Sequence, residues 1–144
     1  MIPRTVLIAV EPFGRQLDAE RAGRAIGRGV EAGDPTLEVE VCPIEPAASG
    51  DVRELLAALD FDRRMRAARA VVVGGAHLDE RTLLGSATFE IATRARQAGV
   101  PAYAVTGKSD LSRFDARILD LQVILEARST RSLRRAGEQL AALV

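Results

Sequence analysis

Five short apolar runs, at residues 5–10, 37–42, 70–73, 102–105 and 121–125, are separated by longer segments whose apolar residues recur at helical spacing. This alternation constrains the chain more than any other feature. Each run has the length of a buried strand, and three are almost wholly apolar, as strands covered on both faces are. Strand-length runs joined by helix-length segments predict a parallel sheet with helical crossovers.

The helices follow from their caps. Asp18 is placed to open a helix over 19–32, closed by Gly33 ahead of Pro35, with Ala22, Ala25, Ile26 and Val30 as its buried stripe. Gly23 and Gly27 would each cost about 1 kcal/mol relative to Ala in that helix, which points to close approach to the sheet. Ser49 or Asp51 would cap a helix over 52–59, and 61–69 continues as a short helical stretch whose Arg63, Arg64, Arg66 and Arg69 read as a solvated face. A third helix is expected over 82–98, ending at Gly99, and a weaker one over 112–119. Ser129 or Thr130 would open the last, with Leu133, Ala136, Leu140 and Leu143 on one face. With right-handed crossovers this order predicts an α/β fold: one doubly wound, flavodoxin-like or Rossmann-like three-layer domain over 1–144, its five-stranded, mostly parallel sheet in strand order 2-1-3-4-5.

Composition narrows the function. Twenty basic residues balance twenty acidic ones, so no overall field favours nucleic acid or an anionic membrane. No stretch approaches the ~20 apolar residues of a membrane helix, and the N-terminal apolar run is too short for a signal-peptide core; a cytoplasmic location is expected. The single cysteine, Cys42, excludes an internal disulfide and reads as a buried, inert thiol.

Open parallel sheets bind ligands beyond the carboxyl ends of their strands, where the winding reverses. That rule selects four loops, at 11–15, 74–79, 106–110 and 126–129, and with them Glu11, Arg15, Gly74, Gly75, His77, Asp79 and Lys108, with Arg128 nearby. Converging there, these residues would form a mostly cationic crevice with one or two carboxylates, suited to a small anionic metabolite. Structural readings stand beside this one. Gly74 and Gly75 would make the turn out of a buried strand, Asp79 or Glu80 would cap the next helix, and His77 would be exposed or locally bonded. Gly107-Lys108-Ser109 ends like a phosphate-binding P-loop, but the glycine required upstream is Ala102.

Three segments carry a resemblance. Residues 61–87 are similar to the pattern GFDxRLxxADLVITGEGRLDxQSLxGKAP, with Gly74, Leu78, Asp79, Thr82, Leu83, Gly85 and Ala87 keeping it or nearly so. Residues 8–26 resemble IAPDSFKGSLSAxEAAxAI, and 99–107 resemble GVPVIALAG. These are patterns of the bacterial ATP-dependent glycerate kinases, and the chain resembles a truncated, one-domain member of that family. The resemblance implies Mg-ATP as cofactor if the kinase activity holds. It also marks departures. Glu11 stands for the family's acidic residue, but Gly14 replaces its Lys, Gly75 its Glu, His77 its Arg and Ser86 its later Lys. The family's inserted second domain is absent between about 45 and 57. The resemblance therefore implies a degenerate kinase scaffold, a non-catalytic binding or regulatory module, with an active glycerate kinase as the alternative. Its partner would be a second copy in a homodimer, or a chain supplying the missing domain.

Overall fold

The computed structural model describes residues 2–45, 50–80 and 85–144. Its strands are β1 (Thr5–Val10), β2 (Glu38–Val41), β3 (Ala70–Leu78), β4 (Ala102–Ser109) and β5 (Leu121–Glu126). They form one sheet in the order β2-β1-β3-β4-β5, with every pairing parallel, as the crossover argument predicts. The described helices are α1 (Ala19–Gly33), α2 (Val52–Ala58), α3 (Phe61–Arg66), α4 (Ala87–Ala98), α5 (Arg113–Ile118) and α6 (Thr130–Leu143).

Alternate residues of each strand serve opposite faces. Val6, Ile8 and Val10 of β1 pack with Val72 and Val105 against Ile26 and Val30 of α1 and Leu133 and Leu140 of α6. Leu7 and Ala9 pack with Val71, Val73 and Ala104 against Leu56, Phe61, Met65 and Ile91 of α2, α3 and α4. Cys42 is fully buried in this second layer, and burial raises its thiol pKa, as expected of an inert cysteine.

Glycines set the spacing of the first layer. A Cβ on Gly23 or Gly27 would lie 2.8 Å from Val41 or Val39, so α1 rests on β2 as its sequence predicts. The tighter contact, between helices, has no counterpart in that reading. A Cβ on Gly29 would stand 1.9 Å from the Arg134 carbonyl oxygen, and one on Gly137 2.1 Å from that of Ile26. Backbone lies against backbone where α1 crosses α6.

Several boundaries differ from the sequence reading. Gly74 and Gly75 do not turn the chain; β3 runs on to Leu78 and β4 to Ser109, paired as far as His77↔Lys108 and Leu78↔Ser109. The cause is local: a Cβ at Gly74 would meet the Val105 carbonyl oxygen at 1.6 Å, and one at Gly107 the Ala76 oxygen at 2.6 Å. Only glycines let the two strands stay together, and the buried Thr106 hydroxyl fastens them by donating to the Gly75 carbonyl at 3.0 Å. The helix expected over 82–98 starts at Ala87, because Gly85 takes φ +77° and Ser86 caps the helix by accepting from the Phe89 N–H; positions 81–84 lie outside the described residues. Asp51 caps α2 through the Arg53 and Glu54 N–H groups, whereas Ser49 lies outside the description. Leu143 leaves the buried stripe of α6 and is 53% exposed. Arg64 is no solvated residue: its guanidinium bonds Glu40 at 2.8 Å and the Leu59 carbonyl.

Candidate functional site

Glu11 follows the last residue of β1, and its N–H donates to the Gly74 carbonyl at 2.8 Å, which carries the strand direction past the sheet edge. The side chain turns toward the start of α4. There its Oε2 accepts from the Thr88 hydroxyl at 3.2 Å, and the carboxylate also accepts the Ala87 N–H. Gly75 makes room for this placement, since a Cβ there would lie 3.3 Å from the Glu11 Cβ and 3.4 Å from Oε2. Burial pushes the Glu11 carboxyl above its ordinary value, and the two hydrogen bonds offset part of that rise.

The carboxylate forms part of the wall of a cavity of about 170 Å³. Ile44, Val52, Leu55 and Ala87 supply its apolar surface, and Asp51 and Ser86, the caps of α2 and α4, stand at its mouth beside Gly50 and Gly85. A shallower groove of about 450 Å³ continues outward past Arg53, Phe89 and Glu90. Sequence reasoning missed this cleft. Its signal was the pair of caps, Asp51 and Ser86, which the sequence places on different elements and only the fold brings together.

The other expected site residues are elsewhere. Arg15 is exposed and does not line the cavity or its groove. His77 and Lys108 are register neighbours at the ends of β3 and β4. The His77 Nε2 lies 2.9 Å from an Asp110 carboxylate oxygen and 3.6 Å from one of Asp79, and Lys108 Nζ lies 3.8 Å from Asp110. Two carboxylates thus stand beside His77 and Lys108, in a cluster apart from the Glu11 cavity. Arg128 is drawn to a third place, donating from Nε to the Gly107 carbonyl at 2.8 Å beside a separate depression lined by Glu126 and Ser132. Of the seven candidates, Glu11 lines the cavity, Gly75 shapes it from behind, and Gly74 holds β3 against β4. Among the described residues no cluster of three or more His, Cys, Asp or Glu is arranged to hold a metal ion, and no helix is long and apolar enough to cross a membrane.

The glycerate kinase family model matches residues 47–143, about two thirds of the chain. The chain belongs to the glycerate kinase family. The match includes the caps of α2 and α4, Gly75, His77, Asp79 and Lys108, while Glu11 and Arg15 lie before it. No curated protein matches the chain. Among solved structures, a diflavin flavoprotein A3 from Nostoc sp. is similar, with a TM-score of 0.53 and 13% identity over 98% of this chain and 93% of that one. An oxidoreductase from Corynebacterium diphtheriae has a TM-score of 0.54 and 14% identity over 100% and 98% of the two chains. At such identities the likeness is one of fold.

Proposed function

We propose that this member of the glycerate kinase family is a non-catalytic binding module that takes a small metabolite in the cleft between α2 and α4. One observation carries the reading. Glu11, where the resemblance puts the family's acidic residue, is engaged with Ala87 and Thr88 inside a cavity that has no Lys or Arg among its described lining residues.

Phosphoryl transfer is mostly positioning and electrostatics: cations must hold the phosphates and neutralise the charge that develops on them. Membership of the family implies ATP use, yet the described walls of this cleft do not fit Mg-ATP. The inner cavity presents Glu11 and Asp51, Arg53 is the sole basic residue of the described outer groove, and Arg15 and Lys108 line neither. Each missing preorganised contact costs about 10² to 10³ in rate, so the combined losses leave no useful turnover.

The test is ADP release from Mg-ATP by purified protein, with and without D-glycerate. The reading expects no glycerate-dependent release. Turnover that depends on glycerate and disappears in an Arg15→Ala, Lys108→Ala double variant would replace it with an active glycerate kinase.

A further inference from the structure

The Glu11 cavity also indicates which chemical class of ligand it takes, an inference that rests on the binding-module reading. At about 170 Å³, with ~30 Å³ for each water-sized group, it has room for about five or six such groups. That suits a small molecule, or one end of a larger one. Its apolar walls contribute no donor, and among the described lining residues no side chain is a cation.

The Ser86 hydroxyl also lines the cavity, but the charge there is one-sided. A carboxylate has about four lone-pair sites, and Glu11 fills two of them, with the Thr88 hydroxyl and the Ala87 N–H, both on α4. Asp51 at the mouth directs its Oδ1 to the Arg53 and Glu54 N–H groups. An incoming anion would face the half-buried Glu11 carboxylate, where like charges repel strongly, with the exposed Asp51 carboxylate adding a weaker repulsion at the mouth. A donor would use the acceptor capacity that remains on Glu11, and a cationic donor would also neutralise a half-buried charge that costs free energy unpaired. We infer that the cavity binds the protonated amino group of a small primary amine, with Glu11 as its acceptor and Ile44, Val52 and Leu55 against the carbon skeleton. Neutral alcohols rank below amines, and anions last.

Calorimetric titration of the full chain with ethanolamine, glycerol and inorganic phosphate tests this, using the wild type, Glu11→Gln and Val52→Phe. Gln keeps an oxygen for Thr88 and Ala87 while losing the charge, and Phe at 52 fills the cavity without touching the carboxylate chemistry. Ethanolamine should bind saturably to the wild type, about tenfold or more weakly to Glu11→Gln, and not to a folded Val52→Phe; glycerol should bind more weakly than ethanolamine. Absence of ethanolamine binding to the wild type, or equal affinity in Glu11→Gln, overturns the inference, and the Glu11→Gln comparison stands even if Val52→Phe fails to fold. Phosphate binding abolished by Val52→Phe would also overturn it, while leaving a binding module that prefers anions. Glycerate-dependent ADP release would instead defeat the module reading itself, whatever the amine result.

Discussion

Both faces of the sheet carry large apolar side chains, but the helices that cover them meet one another differently. Where α1 crosses α6, absent side chains do the work, with Gly29 against the Arg134 carbonyl and Gly137 against that of Ile26. The face under α2, α3 and α4 is filled by large side chains, Leu56, Phe61, Met65 and Ile91 among them. At its carboxyl end that packing stops, and two polar caps and the Glu11 carboxylate surround a cavity. Interdigitation and ligand space exclude each other, so a chain of this size closes one face and leaves the second open where helix starts need polar partners anyway.

If α1 and α6 meet by backbone contact, enlarging that seam should be as harmful as emptying the opposite face. Gly29→Ala places a methyl where a carbonyl oxygen stands and should cost about 3 kcal/mol or more, read from the urea midpoint. Leu56→Ala, on the opposite face, should cost about 3 kcal/mol through lost burial and a new void. A mild effect of Gly29→Ala would break the contrast, because α6 would then be free to move away. Asp51→Ala removes the cap of α2 at the mouth of the cavity and should cost about 1 kcal/mol in the same assay.

Glu11→Gln sharpens the contrast through pH. A carboxyl whose folded pKa is raised holds its proton more tightly when folded, so its contribution favours folding at low pH and declines as pH rises from the ordinary value of 4.5 through the raised one. Glu11→Gln should remove that decline, leaving the variant's melting temperature above the wild type's at neutral pH and closest to it in acid. A wild-type advantage that widens toward neutral pH would mean the ionised carboxylate is stabilising. The smallest effect belongs to Leu143→Ala, within about 0.5 kcal/mol, because that side chain lies outside the α6 contact.

Much of the architecture was legible because it depends on local signals. Asp18 and Ser129 cap the helices that follow them, the apolar runs mark the five strands, and right-handed crossovers give their order. The misreadings share one cause, tertiary contact overriding a local preference. Gly74 and Gly75 carry a turn signature, yet β4 holds them in a strand. Arg64 lies in a basic run, yet Glu40 of β2 draws it in. The candidate site was less legible: loops at the carboxyl end of the sheet can be named from the strand order, but whether Glu11, Arg15, His77 and Lys108 share a space depends on side-chain direction, which spacing does not encode. Glu11 turns inward under α4, while Lys108 and His77 meet Asp110.

The binding-module proposal depends on Glu11 lying beneath the start of α4, away from phosphate chemistry. Carbon-13 NMR titration of its side-chain carboxyl, with Thr88→Val as the companion variant, reads that placement. A Glu11 pKa above the ordinary carboxylate value that rises further when the Thr88 hydroxyl is removed is the expected result. An ordinary value that Thr88→Val does not move would place the carboxylate in open solvent and contradict its engagement with α4.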